Sequence, residues 1–218
     1  MEDTNIHECI TILRDAITKF KVPIVTEYAQ NERNPFHILI STVLSLRTKD
    51  KTTAEASKRL LNAANDPEQM QKLSEKDIEK LIYPVGFYRV KSQNIKLLCQ
   101  RLVKDYGGRV PDEIDELLKF KGVGRKTANL VVTLGYNKPG ICVDIHVHRI
   151  TNRWGYVQTK NPEATEIALR AKLPSEHWIE INDLLVTYGQ NLCTPVSPKC
   201  SQCKIIKYCD QKGVDRSR

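Results

Sequence analysis

The sequence predicts an all-α protein, and two observations carry that prediction. Apolar residues recur every three or four positions along most of the chain, and no segment shows the strict alternation that is typical of a half-buried strand. Short connections, such as the turn at 83–86 and the glycine pair at 107–108, separate the periodic segments. The 218 residues can bury a sizeable core, in one domain or in two small ones.

The first half of the chain predicts five helices, several with their own start or stop signal. Asp50 is expected to cap one of them, and Ser74 followed by Asp77 resembles a capping box at the start of another. Gly107 and Gly108 are expected to end the longest. The predicted spans are about 6–20, 35–45, 50–64, 74–82 and 89–106.

Further helices are predicted beyond residue 108. Pro111 is expected to open one that is joined to the next by the glycine turn at 122–124, the pair covering about 113–134. Asn161 followed by Pro162 predicts an N-cap with proline at the first helical position. A last helix is predicted from about 175 to 188.

Charge and hydropathy narrow the class of protein. The 34 Lys and Arg residues exceed the 26 Asp and Glu residues, which gives a net charge of +8 and a pI near 9.1. Such a balance favours a polyanionic partner, although a basic surface can also serve solubility alone. No apolar run reaches membrane-spanning length, and an N-terminus containing Glu2, Asp3 and Glu8 is unlike a targeting peptide. We therefore expect a cytoplasmic protein without a membrane contact.

The segment Lys121–Thr127 places two glycines directly before a predicted helix. Glycine tolerates positive φ at little cost, and the amides of such a turn, with the helix N-terminus behind it, form a ready phosphate site. Arg125 and Lys126 flank the turn with positive charge. We predict binding to a DNA backbone here; an ordinary corner between two helices is the alternative.

Lys126 and Asp144 are the candidate reactive residues. The helix dipole and the neighbouring Arg125 both disfavour the ammonium form of Lys126, and a neutral amine can attack a sugar C1′. Asp144 lies in an apolar segment, where it can assist deprotonation or stabilise positive charge on the sugar. The alternatives are a phosphate contact for Lys126 and a helix N-cap for Asp144.

The cysteines predict a metal centre near the C-terminus. Four of the seven fall within seventeen residues, with the spacing C-x6-C-x2-C-x5-C: Cys193, Cys200, Cys203 and Cys209. In an intracellular protein such a cluster favours a metal over disulfides. A single C-x2-C pair is compatible with zinc and with an iron–sulfur cluster, and the spacing favours the latter slightly.

With these motifs in place, the chain resembles the endonuclease III family of the helix-hairpin-helix DNA glycosylase superfamily, from about residue 28 to the end. The segments that carry the resemblance are G-V-G-R-K-T-A-N at 122–129, V-D-I-H at 143–146, Y-G-G-R-V-P at 106–111 and the cysteine spacing. The resemblance implies a catalytic role for Lys126 and Asp144. It also implies a [4Fe–4S] cluster on the four cysteines.

The resemblance further implies a two-lobed layout. A six-helix, barrel-like lobe is expected over 28–138, with the helix-hairpin-helix at about 113–134. Residues 1–27 and 139–218 are expected to form the second lobe, with the cluster loop at 193–209. The active site is expected in the cleft between the lobes of a monomer.

The implied activity is that of a bifunctional DNA glycosylase and AP lyase in base excision repair. Its partner would be double-stranded DNA containing oxidised pyrimidines or abasic sites, in the nucleoid. Relatives that only hydrolyse the glycosidic bond usually carry serine or tyrosine where this chain has Lys126, so lysine favours a Schiff base followed by β-elimination. A mismatch uracil or thymine glycosylase and a non-catalytic DNA-binding module are the alternatives.

Some positions depart from the family pattern. Arg47 stands where the family commonly has a gap-filling glutamine, and Lys121 replaces a proline before the hairpin. Phe87 falls on an apolar wedge position, with a core phenylalanine as the alternative, and His146 matches a position near the active site. The residues expected to contact DNA are Arg47, Phe87, Lys121, Gly122, Val123, Gly124, Arg125, Thr127 and His146.

Overall fold

The computed structural model describes residues 1–20 and 33–218, and within them the regular structure is helical without a strand, as the sequence predicts. The α-helices are α1 (Ile6–Ile17), α2 (Pro35–Ser45), α3 (Asp50–Ala63), α4 (Pro67–Met70), α5 (Glu75–Ile82), α6 (Tyr88–Tyr106), α7 (Ile114–Leu117), α8 (Arg125–Leu130), α9 (Ile145–Arg153), α10 (Pro162–Lys172) and α11 (Ile181–Asn191). Short 3₁₀ segments occur at Asp3–Asn5, Ser175–His177, Cys200–Gln202 and Ile206–Tyr208. None of the described helices is both long and apolar enough to span a membrane.

The described residues divide into two compact units. One combines 1–20 with 139–218, and the other comprises 33–138. The boundary expected between 27 and 28 lies outside the described residues.

Helix α2 is the core of the unit formed by 33–138. It is buried on nearly all sides from Phe36 to Leu44, which is the pattern of a helix surrounded by others. Asn34 caps it by accepting from the backbone N–H groups of Phe36 and His37, and Pro35 occupies the first turn. Helices α3, α6 and α8 pack against it.

The other unit is organised around α11, against which α1 and α9 pack. Its largest fully buried side chains are Trp154, Tyr156 and Tyr188. Trp178 is half-buried and donates its indole N–H to the Leu173 carbonyl at 2.7 Å. These aromatic groups form a structural core rather than a stacking surface.

Most of the predicted helix signals are confirmed, but the prediction that Asp50 caps α3 is wrong, because Lys49 is the N-cap and Asp50 is the first residue of the helix. The Ser74 hydroxyl accepts from the Asp77 N–H, and the Asn161 side chain accepts from the Ala164 N–H. Gly107 ends α6 with a φ of +59°, the left-handed conformation that glycine favours.

Two predicted helices differ from the structure in their bounds. Pro111 does not open a helix: α7 begins only at Ile114, because Glu113 is extended and, with Asp112, holds the Lys138 ammonium at 2.6 and 3.0 Å. By contrast, α8 continues as a π-helix at Val131–Gly135, so the helical segment reaches its predicted end near 134. The last predicted helix is interrupted between 177 and 181, where the chain turns and the Trp178 indole points back to residue 173.

Candidate active site

The glycine turn lies between α7 and α8, and its two glycines have different roles. Gly122 has a φ of +87°, and a Cβ there would lie 2.8 Å from Nδ2 of Asn94. Gly124 is extended, with φ −99° and ψ 177°, and a Cβ there would meet nothing within 4 Å. Positive φ therefore explains only Gly122, which corrects the expectation that both glycines serve it.

The turn is anchored on α6 through Phe120, which is buried. The Arg101 guanidinium lies 5.0 Å from the centre of the Phe120 ring and donates to the Lys119 carbonyl at 2.7 Å. Tyr106 packs against the same ring, with 5.5 Å between centroids. The backbone of the turn is thus held by contacts that leave its outer side open.

At the first turn of α8, the groups that a ligand can reach are backbone atoms and the charged side chains. Gly124 is the N-cap of α8 and, having no side chain, forms no side-chain cap hydrogen bond. Lys126, the second residue of the helix, is half-buried, and Arg125 is exposed. Thr127 and Val123 are 1% and 6% exposed, so their side chains face the interior and only their backbone remains available to a ligand.

Asp144 begins α9 in the other unit, and the predicted N-cap alternative is confirmed. Its Oδ1 accepts from the N–H groups of His146 at 2.7 Å and Val147 at 3.0 Å. The residue is only 8% exposed. The two hydrogen bonds fix the orientation of the carboxylate at the start of α9.

His146 is connected to the cysteine loop through Arg149. Its Nδ1 lies 3.0 Å from Nη2 of Arg149, which also donates to the Cys193 carbonyl at 2.8 Å. Burial lowers the pKa of Arg149 from its usual value. His148 has a different partner, Thr165, at 2.7 Å.

The structure brings Arg47 and Phe87 together, although they are forty positions apart. The Arg47 guanidinium carbon lies 5.5 Å from the centre of the Phe87 ring. Phe87 is 60% exposed, so the core alternative for this residue is wrong. Both residues have left-handed backbones, with φ of +54° and +58°, a strain that functional loops often hold.

Lys91 bonds to the loop that contains Arg47, a role that the sequence did not predict. Its ammonium donates to the carbonyls of Leu44 at 2.8 Å and Leu46 at 2.6 Å, and to Oγ1 of Thr48 at 3.3 Å. Burial lowers the pKa of Lys91 to about 8. The same Thr48 oxygen accepts from the Gly86 N–H at 3.1 Å, so the loop of Arg47 is joined to the loop of Phe87.

The four clustered cysteines line one cavity, together with the side chains of α9 and α11 that face it. None of the described cysteines forms a disulfide. Hydrogen bonds reach three of the sulfurs, from the Tyr188 hydroxyl to Cys203 at 3.2 Å, from Arg153 to Cys193 at 3.4 Å and from a backbone N–H to Cys209 at 3.4 Å. Burial raises the pKa of Cys209 to about 11, so a metal is needed to hold that sulfur as a thiolate at neutral pH.

Arg153 holds the start of this loop in place. Its guanidinium donates to the carbonyls of Thr194 at 2.8 Å and Pro195 at 2.7 Å, and the side chain is 7% exposed. The residue is the last of α9, the helix that Asp144 begins. Its sequence context carried no signal for this role, because its partners lie more than forty positions away.

The chain is similar to several known repair proteins. It is 46% identical over 202 residues to endonuclease III of Thermotoga maritima, covering 89% of this chain and 95% of that protein. A solved trapped endonuclease III–DNA covalent intermediate, in its estranged-adenine complex, matches with a TM-score of 0.85 and 31% identity over 97% of both chains. A thermostable thymine-DNA glycosylase matches with a TM-score of 0.84 and 25% identity, over 96% of this chain and 98% of that one.

The family model of the HhH-GPD superfamily base excision DNA repair proteins matches residues 40–175. That range includes the glycine turn, both candidate reactive residues and the loops of Arg47 and Phe87. The chain therefore belongs to the HhH-GPD superfamily of base excision DNA repair proteins and is similar to endonuclease III over most of its length.

Proposed function

We propose that this base excision repair DNA glycosylase and AP lyase removes oxidised or ring-saturated pyrimidines from duplex DNA through a Schiff base on Lys126. The observation that carries the proposal is the position of Lys126, in the first turn of α8 directly after an uncapped glycine turn. A primary amine there lies beside a backbone surface suited to phosphate. Binding of DNA and nucleophilic attack can therefore occur side by side.

The glycine turn would hold the DNA strand through its phosphates. The N-terminus of α8 suits an anion, and the exposed Lys121 and Arg125 add positive charge. Contacts of this kind position the protein without reading the sequence. The proposed partner is damaged duplex DNA of any sequence, bound in the nucleoid by a monomer of this protein.

The proposed chemistry uses the Lys126 amine as nucleophile. The neutral amine attacks C1′, and the bond from C1′ to the base breaks with its electron pair leaving on the base. Asp144 is proposed to assist deprotonation of the lysine or to stabilise positive charge on the sugar. The sugar ring opens to give an iminium on Lys126. Removal of a C2′ proton then expels the 3′ phosphate, and water hydrolyses the imine to free the lysine.

The pair formed by Arg47 and Phe87 would occupy the space left by the flipped nucleotide. An exposed aromatic ring can stack on a neighbouring base, and a guanidinium can donate to the base opposite the lesion. The contact between these two side chains supports a single wedge rather than two independent ones. Arg47 would then set the tolerance for the opposite base.

The four cysteines fit a [4Fe–4S] cluster, because these half-buried residues line one cavity and three of their sulfurs accept hydrogen bonds. When bound, the cluster supplies a fixed cross-link of the loop at 193–209. Arg153 and Tyr188 would hold the loop and tune the charge on the sulfurs. Lys126 and Asp144 carry the reaction, and the cluster would be structural.

A mismatch-specific glycosylase is the second candidate. It is favoured by the similarity to a thermostable thymine-DNA glycosylase and by arginine, rather than glutamine, at position 47. Such an enzyme activates water and needs no amine nucleophile. Lys126 argues against it.

Borohydride trapping tests the proposal. The protein is incubated with duplexes containing thymine glycol, an abasic site or a thymine mismatch, and reductant is added. Lys126→Ala is compared with Lys160→Ala, which removes an exposed lysine elsewhere. We expect a covalent adduct with the first two duplexes that Lys126→Ala alone abolishes.

The other outcomes of this assay are distinct. Release of thymine from the mismatch without an adduct would support the mismatch enzyme. An adduct that persists in Lys126→Ala would assign the nucleophile to another amine. Tight binding of the folded protein without any base release would leave a DNA-binding module.

A further inference from the structure

Three potential metal ligands lie together on the surface of the unit formed by 1–20 and 139–218. His7 belongs to the first turn of α1, while Glu176 and His177 belong to the 3₁₀ segment at 175–177. Nδ1 of His7 lies 3.0 Å from Nε2 of His177 and 3.7 Å from Oε1 of Glu176. All three ligand atoms fall within 4.8 Å of one another.

The ring of His177 is already oriented as a metal ligand would be. It is 4% exposed, and its Nδ1 lies 2.8 Å from Oε1 of Glu180, which can only accept when ionised. Nδ1 therefore donates to this carboxylate, and Nε2 is the ring nitrogen that faces His7. Arg14 holds the Glu180 carboxylate with two hydrogen bonds, of 2.6 and 2.8 Å.

A carboxylate behind the distal nitrogen of a ligating histidine is the usual outer shell of a zinc site, where it fixes the tautomer and strengthens the ligand. Two nitrogens bound to one tetrahedral zinc ion lie about 3.3 Å apart, given bonds of roughly 2.0–2.1 Å. The 3.0 Å separation between His7 and His177 needs little adjustment to reach that value. The carboxylate of Glu176 requires only a rotation of an exposed side chain.

We propose that His7, Glu176 and His177 form a surface site for a borderline divalent metal ion, with zinc as the test case. Two imidazoles and one carboxylate supply three ligands, and water completes the coordination because the His7 and Glu176 side chains are 57% and 61% exposed. The ion would replace the proton shared between the two rings. It would join α1 to a segment 170 positions away in the sequence.

The experiment is a calorimetric titration with zinc chloride of the tag-free protein carrying its iron–sulfur cluster. His7→Ala and Glu176→Gln each change one ligand whose side chain is exposed. His37→Ala removes a histidine that is not one of the three proposed zinc ligands. We expect one zinc ion per chain in the wild type and in His37→Ala. In His7→Ala the affinity should fall at least about tenfold, as loss of a ligand or of its supporting partner typically causes.

Thermal unfolding provides a second readout, because an ion that binds only the folded chain raises the melting temperature. Zinc should raise it in the wild type and in His37→Ala but not in His7→Ala. Equal zinc affinity in His7→Ala and wild type would overturn the proposal, since it would locate the ion elsewhere. Absence of saturable binding would overturn it too, and the two rings would then share only a hydrogen bond.

Discussion

Single residues of the hairpin show that identical residue types can be required for different reasons. Gly122 is needed for its backbone conformation and for the space taken by Asn94, whereas Gly124 meets neither constraint. What Gly124 leaves is an open approach to the first turn of α8. A phosphate that binds helix N–H groups requires such an approach.

Gly124→Ala is expected to weaken DNA binding without loss of stability. Alanine tolerates the extended conformation, but its methyl group fills the space in front of the helix end. Binding to an abasic-site duplex should fall roughly tenfold, since a hydrogen bond to a charged group contributes about 1.5–3 kcal/mol.

Gly122→Ala is the matched control for Gly124→Ala. It should lower the free energy of unfolding by about 1–2 kcal/mol or more, because of its positive φ and the contact with Asn94. Equal DNA affinity in Gly124→Ala and wild type, measured by fluorescence anisotropy, would show that no phosphate approaches there.

Asp144 combines an N-cap with the proposed acid–base role, and two substitutions separate them. Asparagine caps a helix about as well as aspartate but carries no charge, whereas alanine does neither. Asp144→Asn should therefore keep the stability of the wild type and lose about 10²- to 10⁴-fold in base release. Asp144→Ala should lose the same activity and about 0.5–2 kcal/mol of stability, measured by urea unfolding.

Activity retained in Asp144→Asn would leave the aspartate with a capping role alone. Base release must be followed separately from strand cleavage, because lyase activity on a preformed abasic site bypasses the first step. Single-turnover assays on thymine glycol duplexes make that separation.

At the scale of elements, two loops and one helix form a single support for the proposed wedge. Lys91, in the first turn of α6, bonds to the end of α2 and to the loop that follows it. Its ammonium satisfies carbonyls that the helix end leaves without intrahelical partners. The loops of Arg47 and Phe87 are consequently held by the same set of hydrogen bonds, although each of these two residues has a strained backbone.

The stability contributed by Lys91 should depend on pH. The unfolded lysine keeps its proton up to about pH 10.5, whereas burial lowers the pKa in the folded protein to about 8. Between these values the unfolded chain binds more protons, so folding becomes more favourable as pH rises from 8 to 10.5. Below pH 8 the full cost of burying the ammonium is present.

Lys91→Met removes this dependence while keeping a long side chain. The difference in unfolding free energy between wild type and Lys91→Met should shift in favour of the wild type as pH rises through that window. Groups shared by both proteins cancel in the difference. A difference that is constant with pH, measured by urea unfolding, would contradict the prediction.

The sequence predicted helix caps whose partners are nearby in the chain, but it did not predict contacts between residues that are distant in the chain. Ser74 and Asn161 were recognisable as caps because their partners lie three positions away. Lys91 bonds to residues more than forty positions away and could only be taken for a surface lysine. The contact of His7 with His177 likewise could not be predicted, because no periodicity or motif in the sequence indicates it.

At the scale of the whole molecule, the net charge of +8 agrees with a protein that binds DNA largely through phosphates. Family membership accounts for the helical architecture, and 46% identity to endonuclease III extends over nearly the whole of that protein. Lys121 stands where the family commonly has proline. Replacing it measures how much this additional charge at the hairpin contributes to DNA binding.

Lys121→Gln should weaken DNA binding to a similar extent on every duplex. The plot of log K against log salt concentration should lose roughly one unit of slope, since one fewer phosphate is neutralised. Lys160→Gln, an exposed lysine remote in sequence from the hairpin, is the control. An unchanged slope in Lys121→Gln would remove this residue from the DNA contact.

Helix α9 has Asp144 at one end and Arg153, which grips the cysteine loop, at the other. The nine residues of this helix span about 13 Å, so a displacement at the Arg153 end would change the position of Asp144 at the other end. If the proposed [4Fe–4S] cluster fixes that loop, base release would depend on the iron supply of the cell through the position of Asp144. In iron starvation the proposed reaction would then slow, because the loop that Arg153 contacts would lose its cross-link while Lys126 and Asp144 remain in the chain.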